Sequence, residues 1–264
     1  MTDWLAVCRE AVADVREVLA ELPTRAEREP VVRMGVGGDE TTAIDHEVER
    51  VVIARLAEQV RDYTLVSEEI GEVVRGAGRP WVVLDPVDGS LNAKRGVPHF
   101  CLSLAVADGP TMGDVVFGYV HDFGTGEEWT GRRGEGASVN GERLGAVCPK
   151  DELELLAFEA TLASSIAEHA ASVVGLAYRL RVMGSLALAL CNLAAGRLDG
   201  VCSLKPARSV DIAAAQLFVR EVGLSIDLFE HPPFDDAPLD LEGRSRVVAA
   251  GSPELCARLA SALS

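Results

Sequence analysis

The chain has 264 residues, of which 48% are hydrophobic and 25% are charged. This composition is ordinary for a folded protein and excludes one that is disordered throughout. The 41 acidic residues outnumber the 25 basic ones, which gives a net charge of −16. Because a phosphate backbone and an anionic membrane both attract basic surfaces, we expect no nucleic-acid partner and no membrane partner.

The cysteines and the N-terminus both favour a cytoplasmic protein. The six cysteines are dispersed without a CxxC pair, as is typical of free thiols in a reducing compartment. The first residues, MTDWLAVCREAV, lack the basic region and apolar core of a signal peptide. No run of about 18 apolar residues is long enough to span a bilayer, and the five histidines show no zinc-binding spacing.

The first half of the chain is predicted to contain two helices and a group of strands. Apolar residues recur at helical spacing over 3–22 and 42–60, and the charged, then glycine-rich segment 24–41 predicts a loop. Strand-like runs follow at 63–66, 81–84, 102–106 and 115–120. We therefore expect residues 1–150 to form an α+β domain, with two helices on a mainly antiparallel sheet.

Beyond residue 150, strands and helices alternate. Strands are predicted at 153–160, 178–183, 198–202 and 247–250. Helices are predicted at 164–174, 185–195 and 212–222, and a last one begins at Ser252, with Pro253 in its first turn. This alternation is typical of α/β/α layers and predicts a second domain over residues 151–264.

The strongest chemical motif is LDPVDGSLN at 84–92. An apolar strand delivers Asp85, and Asp88 follows three residues later, after a turn fixed by proline. Two carboxylates at this spacing can bind hard cations such as Mg²⁺. The amides of Gly89 and Ser90 would face an anion if they open a helix. A type I turn with solvated acids has the same sequence, so the motif alone leaves both interpretations open.

Three further acidic positions follow a strand or begin a helix, and each has a structural alternative. Glu68 lies in a Glu–Glu pair, which in a loop is usually surface charge. Thr42 and Asp45 have the spacing of a helix capping box. Asp211 lies in the first turn of a predicted helix, where the helix dipole alone favours an acid.

Together, the order and spacing of these segments resemble the inositol monophosphatase family, which belongs to the lithium-sensitive, magnesium-dependent phosphatase superfamily. The segments are SEE at 67–69, WVVLDPVDGSLN at 81–92, NGERL at 140–144 and SVDIAAAQLFVREVG at 209–223. Residues 34–45 and 92–98 look most like the archaeal-type branch, whose members often hydrolyse both inositol 1-phosphate and fructose 1,6-bisphosphate. The fold that the resemblance implies is an α/β (α+β layered) αβαβα sandwich.

The resemblance also implies a metal site. Glu68, Asp85 and the carbonyl of Val87 would hold the first Mg²⁺, and Asp85 would bridge to a second. Asp88 and Asp211 would complete the second site. A third, weaker Mg²⁺ would lie near Glu68 and the glycine-rich loop, and Mn²⁺ would be a substitute metal.

The same resemblance assigns the reacting groups. Asp45 and Ser90 would position and deprotonate a water that attacks the phosphorus directly. The phosphate would lie on the metals and on the amides of Gly89 and Ser90. Lithium would inhibit by taking a magnesium position.

The sequence indicates less clearly which residues contact the alcohol part of the substrate. Gly184 and Ser185 match the polyol-contacting Gly–Ser of the family. The alternative that Ser185 only caps a helix has about the same weight. Lys205 and Arg208 lie where archaeal-type members carry basic residues near the sugar or a second phosphate. Basic side chains in a loop are more often surface residues, and that alternative stays open for both.

Two positions depart from the family pattern. Val210 stands where most members have tryptophan, a change that archaeal-type members often share. In the loop, Gly37 replaces the usual aspartate, and Asp39, two residues on, is the candidate to replace it as a third-metal ligand.

The leading hypothesis is a Mg²⁺-dependent phosphomonoesterase that acts on a small sugar or polyol phosphate and forms a homodimer, as relatives commonly do. One alternative keeps the chemistry and changes the substrate to histidinol phosphate or 3′-phosphoadenosine 5′-phosphate. Another is a non-catalytic interaction protein on the same fold, as in relatives that bind transcription machinery. An inactive member is expected to have lost a metal ligand, and none of the acids named above is missing.

Overall fold

The computed structural model describes residues 2–36, 40–147, 152–159, 162–230, 233–242 and 245–264. Helices α1 (Trp4–Glu21) and α3 (Ala43–Gln59) occupy the two segments whose apolar periodicity predicted helices. Asp3 caps α1 by accepting a hydrogen bond from the amide of Ala6.

The prediction of a plain loop over 24–41 is wrong in the described part of that segment. A one-turn helix, α2 (Arg25–Arg28), begins it, and two short strands, β1 (Val31–Met34) and β2 (Glu40–Thr42), pair as an antiparallel hairpin. The side chains of β1 are exposed, so this strand lacks the buried face that produces a detectable pattern in the sequence.

The first sheet has eight strands in the order β10-β9-β8-β7-β6-β5-β3-β4. Strands β3 and β5 are parallel and all other neighbours are antiparallel, which confirms the expected sheet type. A short helix, α4 (Ser90–Arg95), joins β5 to β6. The strands are β3 (Tyr63–Ser67), β4 (Gly71–Arg75), β5 (Trp81–Asp88), β6 (Cys101–Ala107), β7 (Val115–Asp122), β8 (Glu128–Arg132), β9 (Gly136–Val139) and β10 (Glu142–Arg143).

The second sheet has five strands in the order β12-β11-β13-β15-β14. They are β11 (Leu153–Glu159), β12 (Ala177–Arg181), β13 (Gly200–Ser203), β14 (Ser225–Leu228) and β15 (Val247–Ala250). The helices are α5 (Ala163–His169), α6 (Leu186–Ala194), α7 (Ser209–Ile212), α8 (Ala215–Glu221) and α9 (Pro253–Leu263). The predicted alternation is confirmed, but the expected helix over 212–222 is shorter, because α8 begins only at Ala215 and Ile212 belongs to α7.

The two sheets and the helices form five layers. Val82 and Leu84 of β5 pack in one core with α1 and α3, and Val83 between them faces a second core built around α6 and α8. Ala157 of the second sheet joins that same middle core, while Phe158 faces α9 on the outer side. This order of layers is the αβαβα sandwich expected from the sequence.

Helix α8 packs closely on the first sheet. A Cβ added at Gly118 would come within 2.7 Å of the carbonyl oxygen of Ala214, and one at Gly131 within 2.7 Å of the Phe218 ring. Both contacts are shorter than real Cβ atoms show, so glycine is what allows the helix to approach the sheet.

The division into domains at about residue 150 stays a prediction. The described cysteines, Cys8, Cys101, Cys191, Cys202 and Cys256, are buried free thiols, and Cys148 lies outside the described residues. Among the helices described, none combines the length and apolar character that crossing a membrane requires.

Candidate active site

A cavity of about 350 Å³ opens at the carboxyl ends of β3, β5, β11 and β13, so that both sheets contribute to it. It brings together most of the residues singled out in the sequence, which are Asp45, Glu68, Asp85, Val87, Asp88, Gly89, Ser90, Gly184, Lys205, Arg208 and Asp211. Asp39, the predicted third-metal ligand, lies outside the described residues.

The last residues of β5 hold two acids inside the protein, on either side of an irregularity in the strand. The side chain of Asp85 is 2% exposed and that of Asp88 is 9% exposed, so the alternative of a turn with solvated acids is wrong. The amide of Val87 donates to Asp85 Oδ1 at 3.0 Å, and the hydroxyl of Ser90 donates to the carbonyl of Val87 at 2.9 Å. Gly89 has a φ of 93°, which the tight turn requires.

Asp88 is bound from the middle layer of helices. Its Oδ2 accepts hydrogen bonds from the hydroxyl of Ser185 at 2.6 Å and from the amide of Ala187 at 2.7 Å. Ser185 also caps α6 by accepting from the amide of Leu188. The helix cap that the sequence suggested for Ser185 is confirmed, and its buried hydroxyl also supports Asp88. Its contact with the substrate stays a prediction.

Asp45 serves two purposes with its two oxygens. Oδ2 accepts from the amide and the hydroxyl of Thr42, at 3.1 and 2.5 Å, which is the capping box that the sequence suggested. Oδ1 is buried and makes no hydrogen bond to any described residue. Burial raises the pKa of Asp45, against the lowering effects of Thr42 and the hydroxyl of Ser90. One oxygen is therefore left for a ligand.

Arg208 joins two of the acids. Its guanidinium is hydrogen-bonded to Glu68 and lies 3.5 Å from Asp211 Oδ1, and its backbone amide donates to Asp211 Oδ2 at 2.6 Å. The side chain of Arg208 is only 7% exposed. The alternative of a surface residue is therefore wrong for Arg208, which here pairs with carboxylates. Its expected position near the sugar or a second phosphate stays a prediction.

The acids of the cavity carry more negative charge than their surroundings compensate. Burial, with the repulsion of neighbouring acids, raises the pKa of Glu68 to about 8, that of Asp88 to about 6, and that of Asp85 well above its usual value. A nearby cation lowers these pKa values and so favours the ionised carboxylates. Oxygen donors of this kind suit a hard divalent cation.

A ready-made cluster of three such ligands is not found among the residues described. The contacts already given explain this, since Asp88 Oδ2 is turned towards Ser185 and the guanidinium of Arg208 lies between Glu68 and Asp211. The unpartnered Asp45 Oδ1 and the raised pKa values show that the donor set fits a cation, provided that Arg208 moves away.

Comparison with known proteins agrees with this site. The model of the inositol monophosphatase family matches residues 3–264. The chain belongs to this family. It is 31% identical to a fructose-1,6-bisphosphatase/inositol-1-monophosphatase of Methanothermobacter thermautotrophicus, over 96% of this chain and 93% of that one. A protein of the same description from Archaeoglobus fulgidus is 32% identical over 94% of this chain and 93% of its own.

The fold also resembles that of solved structures. A crystal structure of an inositol monophosphatase–fructose 1,6-bisphosphatase superimposes with a TM-score of 0.85 and 24% identity, covering 99% of this chain and all of that one. As a member of the inositol monophosphatase family, the protein is a phosphoric monoester hydrolase, and the family is generally metal-dependent.

A buried acid that was not predicted from the sequence supports this cavity from below. Glu49 of α3 is 1% exposed, and its Oε1 accepts from the hydroxyl of Ser67 at 2.5 Å and from the amides of Glu69 and Ile70. These bonds fix the turn that carries Glu68. The available signal was its place four residues after Asp45, on the same face of the helix.

A second missed group lies on the other side of the cavity. Glu159 and Ser203 end β11 and β13, where they are neighbours in the parallel ladder, and both line the cavity. Glu159 is 6% exposed. Its position at the end of a predicted strand was visible in the sequence, but no neighbouring motif drew attention to it.

Proposed function

We propose that the protein hydrolyses the phosphate monoester of a small sugar or polyol with the help of two or three Mg²⁺ ions, for which Mn²⁺ can substitute. Inositol 1-phosphate and fructose 1,6-bisphosphate are the first candidates, because the similar archaeal proteins are described by these activities. One observation carries the proposal: acids from four separate parts of the chain line one cavity, namely Asp45, Glu68, Asp85, Asp88 and Asp211.

The metal ligands divide into two sets that share one residue. Glu68, Asp85 and the carbonyl of Val87 would hold one cation, and Asp85, Asp88 and Asp211 the other. When bound, the cations neutralise the phosphate and lower the pKa of a coordinated water. A third cation near Glu68, with Asp39 as a ligand from the loop, is part of the same proposal.

Asp45 and Ser90 act on the water. Asp45 Oδ1 has no hydrogen-bond partner among the described residues, so it can accept a proton or a hydrogen bond from the water. The raised pKa of Asp45 suits a general base. The hydroxyl of Ser90, which now donates to the carbonyl of Val87, lies at the same end of the cavity and orients the water.

The backbone of the β5–α4 turn binds the phosphate. Gly89 and Ser90 line the cavity, and their amides are the donors that we assign to the phosphate oxygens. Gly184 and Lys205 also line the cavity, and we place the alcohol beside them. Arg208 must leave Glu68 and Asp211 before cations bind there, since its guanidinium and a cation compete for the same oxygens.

Three properties of the family complete the proposal for this chain. Lithium inhibits by competing for a magnesium position, the protein is a homodimer, and it acts in the cytoplasm. Sedimentation of the purified protein tests the second of these directly, because a monomer at micromolar concentration would contradict it.

The experiment that tests the function is a phosphate-release panel. Inositol 1-phosphate, fructose 1,6-bisphosphate, histidinol phosphate and 3′-phosphoadenosine 5′-phosphate are each incubated with the protein and millimolar Mg²⁺, and with a chelator as the control. We expect release from the first two, lost with the chelator and restored by excess Mg²⁺. Release from only the last two esters would support the same chemistry on a different substrate. No release from any ester would favour a non-catalytic interaction protein.

A further inference from the structure

The second sheet has a change of direction in its connections. Strand β11 lies between β12 and β13 and is parallel to both. The chain therefore goes from β11 to one side and then returns to the other side. At such a switch point the connections leave the strand ends in opposite directions, which opens a crevice suited to a ligand.

Glu159 occupies the end of β11 at this switch point. Its Oε2 accepts a hydrogen bond from the amide of Gly184 at 2.8 Å. Its Oε1 is buried and makes no hydrogen bond of good geometry within the described part of the chain, although the amides of Met183 and Ser185 lie near enough to the carboxyl group to lower its pKa. A buried carboxyl oxygen without a partner is unfavourable. Since the residue lines the cavity, the missing partner is expected from a ligand.

The chemistry of the cavity indicates which part of the ligand contacts Glu159 Oε1. An acidic side chain repels a phosphate group, and the cation-binding acids are grouped around the β5–α4 turn. The alcohol part of the ester is left for the end of β11. Burial raises the pKa of Glu159 to about 8, so its carboxyl group can donate or accept near neutral pH. A hydroxyl group, which also does both, is a suitable partner in either state.

We propose that Glu159 is a specificity-determining residue that binds a hydroxyl group of the alcohol through Oε1. The residue thereby selects esters of polyols over esters of alcohols that lack further hydroxyl groups. The inference rests on the proposed function, since it assumes that a phosphate ester binds in this cavity. The amide of Gly184 holds the carboxyl group in the orientation that presents Oε1.

The test compares two esters with the same ring, inositol 1-phosphate and cyclohexyl phosphate, at saturating Mg²⁺. We expect the wild-type protein to prefer the first by at least tenfold in kcat/KM, on the order of what one well-placed hydrogen bond supplies. Glu159→Leu should lower kcat/KM for inositol 1-phosphate by about 10- to 100-fold and for cyclohexyl phosphate by less than about threefold. Glu159→Gln should lower the preference by about threefold to tenfold, because an amide nitrogen donates but does not accept.

Glu154→Gln is the matched control, since this exposed glutamate lies on the same strand but at its other end. Its preference should equal that of the wild type. Equal losses on both esters in the Glu159 variants would show a merely structural role and overturn the inference. If the leucine variant does not fold, the glutamine variant decides, and an unchanged preference overturns it. A wild-type protein that hydrolyses neither these esters nor the panel above contradicts the proposed function instead.

Discussion

The two ends of the cavity are built in different ways. At the end that we assign to the cations, Asp85, Val87, Asp88 and Ser90 come from one short segment, the end of β5 and the start of α4, whose internal hydrogen bonds fix it locally. Asp45, Glu68 and Asp211 join it from other parts of the chain. At the end that we assign to the alcohol, Glu159, Ser203 and Lys205 come from two strands and the segment after β13, which meet only through the order of the second sheet.

This difference follows from what each end must do. Cations need oxygens at closely defined distances, and a short turn with proline and glycine supplies several of them over a few residues. An alcohol needs a surface of suitable shape with a few hydrogen-bonding groups, which side chains from separate strands can provide. Changes at the cation end should therefore affect every ester alike, while changes at the alcohol end should affect the choice between esters.

The largest effect is expected from Asp88→Asn. Loss of a metal-binding carboxylate should lower kcat by roughly 10³-fold or more, and equally for inositol 1-phosphate and cyclohexyl phosphate. Steady-state phosphate release measures this at saturating Mg²⁺. Asp108→Asn, at an exposed acid that pairs only weakly with Arg133, is the control and should be fully active. Near-normal turnover of the Asp88 variant would refute its role.

Arg208→Gln should separate stability from metal binding. Removal of the guanidinium leaves Glu68 and Asp211 without their shared cation, and breaking a buried ion pair costs about 3–5 kcal/mol. The metal-free variant should therefore unfold at a lower temperature than the wild type. Mg²⁺ should raise its melting temperature by more than it raises that of the wild type, because the cation no longer competes with arginine.

Thermal unfolding with a chelator and with Mg²⁺ measures both effects of the arginine change. Arg220→Gln is the control, since Arg220 pairs with the exposed Asp235 away from the cavity. If Mg²⁺ stabilises the Arg208 variant no more than the wild type, the guanidinium does not compete with the cation.

Gly118→Ala tests the packing of the first sheet against the chain between α7 and α8. The new methyl group would press on the carbonyl of Ala214, which follows α7, the helix that carries Asp211, and directly precedes α8. Overpacking of this kind costs about 1–3 kcal/mol, which a urea titration detects as a lower midpoint. Gly145→Ala, with no atom within 4 Å of the added carbon, should leave the midpoint unchanged. If both variants have the same urea midpoint, α8 shifts without measurable cost to accommodate the methyl group, and the prediction is wrong.

The smallest effect is expected from Lys205→Met at the alcohol end. The lysine is exposed, so its contact with a second phosphate is worth only ~1 kcal/mol, or about fivefold in kcat/KM. The loss should appear with fructose 1,6-bisphosphate and not with inositol 1-phosphate. Lys94→Met, at a lysine that lines the cavity from α4, is the control and should not distinguish the two esters. A loss common to both substrates in the Lys205 variant would place Lys205 at the cation end.

The sequence predicted those features that depend on neighbours along the chain. The apolar periodicity gave α1 and α3, and the DPVDGS motif gave the turn with Asp85 and Asp88. Several strands were not predicted, and two of them, β1 and β4, have mostly exposed side chains, so that no alternation of burial marks them. The five-layer order followed only from the resemblance to a known family.

The contacts that depend on distant parts of the chain could not be predicted from the sequence. Arg208 was recognised as a residue of the cavity, but its partner Glu68 is 140 positions away. Glu159 was invisible as a site residue, because its importance arises from the strand order around β11 and from the amide of Gly184. Charge and composition carry no information on either contact.

Helix α6 has a consequence for the exchange of backbone hydrogens with solvent. All of its residues except Asn192 are buried, because both sheets cover it. The amides of such a helix exchange only when the whole domain opens. The amide of Ala187, which is bonded to Asp88, belongs to this helix. We therefore expect the support of Asp88 to be among the slowest-exchanging parts of the protein, whereas the exposed strand β1 exchanges early.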